Sequence, residues 1–130
     1  MMAFDIKIGL ENVVEKSVVF DDTAAKFGSG LLEIFSTPAL LALMEDASYH
    51  AVLPCLPEEY TTVGTEVNIK HLKAVPIGGK VRGKAVLRQV EGNKLLFEVT
   101  AFDGENNIIG EGTHTRYIIE INRFLKQFQS

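Results

Sequence analysis

The chain has 130 residues, of which 46% are hydrophobic and 23% charged, a composition that fits one globular domain over residues 1–130 with a single core. A formal net charge of −4, from 13 basic and 17 acidic residues with no dense basic run, argues against a nucleic-acid partner. Cys55 is the one cysteine, which excludes an intrachain disulfide and fits a reducing cytoplasm. The first residues carry no export pattern and no window reaches membrane-spanning length, so neither export nor contact with a membrane is expected.

Residues 13–20 are rich in β-branched side chains and end at Asp21-Asp22, which predicts a first strand and a turn. Residues 24–35 hold Gly28-Ser29-Gly30 and then an apolar turn, read as a lid over a pocket. A helix follows over residues 36–52. Thr37 reads as its N-cap and Pro38 as its first helical residue, where the missing N–H costs nothing. From Ala39 to Met44 it is apolar on every face, the pattern of a helix covered on more than one side. Glu45 enters that surface, where a carboxylate needs a partner or a shifted pKa.

Pro54, Pro57 and Glu58-Glu59 mark an exposed connection. Residues 62–71 alternate as a strand, with Val63, Thr65, Val67, Ile69 and His71 on the inward face and Gly64, Glu66, Asn68 and Lys70 on the other. Further strands are expected over residues 81–90, 95–102 and 108–121, joined by hairpins at Glu91-Gly92-Asn93 and Asp103-Gly104-Glu105-Asn106. Residues 123–129 are expected to close the chain as a short helical turn. One strand, one long apolar helix and four more strands make an α+β fold in which a curved, mostly antiparallel five-stranded sheet wraps one central helix. This is the hotdog architecture. A second copy joined sheet edge to sheet edge would cover the rest of the helix, so a homodimer is expected.

Thr37, Glu45 and His71 stand out chemically. Hydroxyl, carboxylate and imidazole are the parts of an acyl-transfer site. Each also has a plainer reading: Thr37 as a helix cap, Glu45 as a structural carboxylate bonded to backbone or to Tyr49, His71 as a satisfied core imidazole. Thr37 and Glu45 are eight residues apart, about 12 Å along a helix. Either an imidazole from the adjacent strand bridges them or the threonine comes from the second subunit, and the sequence leaves both open. His50 reads as an imidazole favoured by the helix C-terminus, and His114 lies across its strand from Tyr117, Ile119 and Ile121. Neither makes a metal-ligand pattern, so no metal and no other cofactor is expected.

The runs Thr37-Pro-Ala-Leu-Leu-Ala-Leu-Met-Glu45, Gly64-Thr-Glu-Val-Asn-Ile-Lys-His71 and Gly112-Thr-His-Thr-Arg116 resemble the fluoroacetyl-CoA thioesterase family of hotdog enzymes. The resemblance implies hydrolysis of a short-chain acyl-CoA, with Thr37, Glu45 and His71 catalytic. It also implies the Gly64 N–H at the thioester carbonyl and Arg116 in contact with substrate or coenzyme. The family's phenylalanine-rich lid is not matched, because Gly28 and Leu31 stand where two of its phenylalanines fall and Phe35 alone remains to face the substrate. A broader or different short acyl group is therefore expected. Lys70, Lys73, Lys80, Arg82, Lys84 and Arg88 read either as charge for the coenzyme phosphates or as a solvated face. The alternative of a different class is a noncatalytic acyl-CoA or small-ligand binding module, which the retention of all three polar residues disfavours.

Overall fold

The computed structural model describes residues 4–129. Its strands are β1 (Glu11–Ser17), β2 (Tyr60–His71), β3 (Lys80–Glu91), β4 (Lys94–Asp103) and β5 (Ile108–Glu120), and its helices are α1 (Ala24–Phe27), α2 (Thr37–Val52) and α3 (Ile121–Leu125). The strands form one antiparallel sheet in the order β1-β3-β4-β5-β2, open at both edges, with α2 packed on it. This is the α+β hotdog arrangement the sequence predicts. The first strand stops three residues early. Asp22 turns the chain there by accepting from the Val19 N–H at 2.9 Å and from Lys16 Nζ at 2.6 Å.

Helix α2 forms where the apolar run predicts it. Leu40, Leu43, Met44 and Val52 are buried in one cluster with Leu87, Phe97, Val99 and Ile109 of the sheet, each large side chain contributing about 1.5–3 kcal/mol. The helix sits very close to β3, since a Cβ on Gly83 would fall 2.8 Å from Leu43 Cγ. One open sheet covers only one side of a helix, however. Ala42, Asp46 and His50 are exposed along α2 and Leu41, Glu45 and Tyr49 are half-buried beside them. Glu45 therefore lies at the margin of an uncovered stripe, its side chain 41% exposed, and not inside the apolar core as the sequence suggests.

Two further expectations are corrected. The N-cap of α2 is Ser36, whose Oγ accepts from the Ala39 N–H at 3.1 Å, and Thr37 is the first helical residue. Both residue types cap well, and Pro38 is tolerated one place further in. In β2, an extra residue between Gly64 and Glu66 shifts the register against β5. Gly64 pairs with Arg116 and His71 with Gly110, so Thr62, Gly64, Val67, Ile69 and His71 share the helix-facing side, and Gly64 is not opposite to His71.

Removing the true cap is expected to weaken the helix and removing its neighbour is not. Ser36→Ala should lower the free energy of unfolding in urea by about 1 kcal/mol, while Thr37→Val, whose hydroxyl caps nothing, should change it by clearly less.

Candidate active site

With Ser36 taking the cap, the Thr37 hydroxyl is free to look elsewhere. It lies 2.8 Å from Nδ1 of His71, the last residue of β2. Phe35, 1% exposed, packs edge-on against the imidazole at 6.4 Å between centroids. The chain before the helix is tied down by Phe35 N–H to Val75 O at 2.8 Å and Ser36 N–H to Asp22 O at 2.9 Å. The loop after His71 is held by Lys73, which pairs with Asp103 at 3.1 Å. Asp103 is kept well below the usual carboxylate range by hydrogen bonds from Asn107, its backbone included, and by Lys73 and the Glu105 backbone.

His71 Nε2 is buried without a hydrogen-bond partner among the described residues. Burial pushes the imidazole below its ordinary 6.5, and the Lys73 backbone opposes this without good hydrogen-bond geometry to Nε2. In the tautomer protonated at Nε2, Nδ1 accepts from the threonine hydroxyl. A neutral imidazole facing a hydroxyl in this way is able to take its proton.

Of residues 24–35, Phe35 at the end packs on this pair and the tip stands away in solvent. They form a hairpin-like excursion closed at its base by the Thr23–Phe35 bridge and by Ala24 N–H to Ile34 O at 3.0 Å. Gly28 ends α1 in the left-handed region at φ 74°, and Leu31 and Leu32 are 89% and 59% exposed. The predicted lid thus has its base in place and its tip in solvent.

A second cluster surrounds Glu45. Arg116, 7% exposed, donates from Nε to Thr62 Oγ1 at 2.8 Å and from Nη2 to Thr62 O at 3.0 Å. Its Nη1 lies 3.1 Å from His114 Nε2 and 3.8 Å from Glu45 Oε2, and the guanidinium carbon is 5.7 Å from the centre of the Tyr49 ring. A guanidinium only donates, so His114 Nε2 accepts and Nδ1–H donates to Glu66 O at 2.9 Å, which fixes a neutral tautomer. Burial lowers the His114 pKa, the Glu66 carbonyl opposes this, the Arg116 charge adds to it and Glu45 works against it. A Cβ on Gly64 would stand 3.0 Å from His114 Cε1, 3.1 Å from Glu45 Oε2 and 3.2 Å from Arg116 Nη1. Glycine is what lets these three groups meet against the strand.

The fold therefore brings Thr37, His71 and Phe35 together at the start of α2, and Glu45, Gly64 and Arg116 together two turns on. Among the described residues no hydrogen bond joins His71 to Glu45, so the imidazole does not bridge the two groups within one chain. Thr62 and His114 belong to the second cluster, although in sequence His114 has only a strand-face position and Thr62 no role. His114 shares a strand face with Arg116 and Ile118, which is the signal that was available; Thr62 offered none. Asp46 is taken up by His50 at 2.6 Å. Of the basic residues, Lys84 and Arg88 meet Glu11 and Glu98, and Arg82 lies over the Phe102 ring. Among the described residues, no cluster of three or more His, Cys, Asp or Glu is placed to hold a metal, and no helix is long and apolar enough to cross a membrane.

The family model described as fluoroacetyl-CoA-specific thioesterase matches residues 18–122, a span that contains both clusters. The chain belongs to the fluoroacetyl-CoA-specific thioesterase family. Members of this family are thioester hydrolases. A fluoroacetyl-CoA thioesterase from Streptantibioticus cattleyicolor is 39% identical over 92 residues, 71% of this chain and 66% of that enzyme. A solved structure of fluoroacetyl-CoA thioesterase FlK superposes with a TM-score of 0.88 at 30% identity, covering 95% of this chain and 96% of that one. A variant of FlK in complex with fluoroacetate and CoA gives 0.85 at 31% identity over 92% and 99%. A Thermus thermophilus member of the thioesterase superfamily gives 0.87 at 28% identity over 95% and 91%.

Both depressed imidazoles bind protons less readily in this thioesterase-family fold than in the unfolded chain. Stability from this source is full above 6.5 and is lost as pH falls from there toward the folded-state values, because the unfolded chain binds more protons in that window. The unfolding midpoint should fall between about pH 7 and about pH 5, and proton NMR should show His71 and His114 titrating below 6.5.

Proposed function

We propose that the protein hydrolyses a short-chain acyl-CoA thioester to the free acid and coenzyme A. The observation that carries this reading is the 2.8 Å contact between the Thr37 hydroxyl and a desolvated His71, on the same sheet face as a carboxylate whose one ion-pair partner among the described residues stands 3.8 Å away. Thr37 attacks or positions the acyl carbonyl, His71 moves the proton, and Glu45 activates water. The Gly64 N–H serves the oxyanion, where a single donor is worth roughly 3 kcal/mol in other hydrolases. Arg116 and Phe35 complete the acyl pocket from the β5 and helix-entrance sides.

The active unit is a homodimer. Two features support it: β2 is an edge strand, and the stripe of α2 that bears Glu45 is uncovered. Eight residues of helix, about 12 Å, separate Thr37 from Glu45, so a second helix alongside would set the Thr37–His71 pair of one subunit near Glu45 of the other. Because the tip of residues 24–35 covers nothing, the pocket accepts several short acyl groups without preference for fluoroacetyl. The lone Cys55, half-buried and reduced, fits a cytoplasmic enzyme.

Free-thiol release from acetyl-, propionyl-, phenylacetyl- and fluoroacetyl-CoA tests the hydrolysis and its acyl range. Turnover should appear on several members and fall by roughly 10²–10⁴-fold in Glu45→Ala and His71→Ala. Acyl-CoA binding without turnover on any member would identify a binding module instead.

A further inference from the structure

The Arg116 guanidinium is held far more completely than a simple ion pair needs. Three of its nitrogens are committed, two of them to Thr62 alone, and the third is backed by His114. The anchors lie on β2 on either side of its extra residue: Thr62 offers its hydroxyl and carbonyl before it, and the Glu66 carbonyl grips His114 after it. We propose that Thr62 and His114 are positioning residues, a clamp that fixes Arg116 beside Glu45 while leaving the Glu45 carboxylate free to react. The proposal rests on the reading of Glu45 as a reacting group.

The geometry explains why a clamp is useful. A guanidinium left free to turn would close onto Glu45 as a bidentate pair and occupy the oxygens that must meet water or substrate. Here the nearest approach stays at 3.8 Å, close enough for the two charges to attract and too far for a hydrogen bond. His114 locks this arrangement only while neutral. A proton on Nε2 would place N–H against N–H and push Nη1 away. Among the described residues, the titratable and charged groups facing His114 are Arg116 from β5 and Glu45 from α2, with Tyr49 of α2 against Arg116, and β2 contributes the Gly64 backbone, the Glu66 carbonyl and the Thr62 hydroxyl and carbonyl.

The test is thiol release from acetyl-CoA across the pH range by wild type, Thr62→Val, His114→Gln, Glu45→Gln and the double variant Thr62→Val/Glu45→Gln. Thr62→Val and His114→Gln should each lower kcat by on the order of 100-fold, with KM little changed. In the Glu45→Gln background, Thr62→Val should add almost nothing, because both changes disable one device. Thr62→Ser, which keeps the hydroxyl, should restore activity, and it decides the matter should the valine variant fail to fold. Multiplying losses in the double variant would mean a purely structural role and overturn the clamp. So would wild-type kcat in both single variants while Glu45→Gln is inactive. Wild-type turnover in Glu45→Gln would instead remove Glu45 from the reaction, and the clamp with it.

Discussion

A strand sends successive side chains to opposite faces, so residues 64 and 71 of an unbroken strand never look the same way. In this chain they do, because β2 carries one residue too many between Gly64 and Glu66. That slip sets the site. Upstream of it, Thr62 and Gly64 meet Arg116 and Glu45; downstream, Val67 and Ile69 pack inward and His71 reaches Thr37. Without the extra residue, one of the two clusters would face solvent on the outer side of the sheet.

The second constraint is the division of labour at the head of α2. A helix leaves its first N–H groups unpaired, and whichever hydroxyl satisfies them is lost to chemistry. Ser36 and Thr37 are adjacent and chemically alike, yet Ser36, 2% exposed, takes the structural task and leaves Thr37 exposed with its hydroxyl on His71. The backbone bond from the Ser36 N–H to Asp22 O sets this choice by fixing where the chain turns into the helix.

How much of this is legible in the sequence follows from the range of each cause. The long helix, the hairpins and the succession of elements along the chain are local signals: Pro38 followed by an apolar run, and turn residues at Gly92-Asn93 and Gly104-Glu105. The three residues Thr37, Glu45 and His71 stand out because each is a polar group in an apolar pattern. The cap missed by one because propensity does not distinguish Ser from Thr in consecutive positions. The slip in β2 left no trace except Gly64 itself, since residues 62–71 alternate acceptably in either register. Thr62 and His114 acquire meaning only through partners more than forty residues away, as Arg116 to Thr62 and His114 to Glu66, and no local pattern encodes such pairings.

The uncovered stripe of α2 connects folding to chemistry. An apolar helix resting on one open sheet leaves Leu41 and Ala42 in contact with water, and Glu45 and Tyr49 sit on the same stripe. Whatever covers that stripe gains apolar burial and at the same time takes water away from the carboxylate. Arg116 stands beside the same carboxylate at 3.8 Å, so two effects, cover from water and an opposite charge, meet at one group. In the proposed homodimer the second subunit supplies the first effect and the clamped guanidinium the second. The surroundings of Glu45 are then complete only once the helix is covered, since a lone subunit leaves that side chain 41% exposed to water.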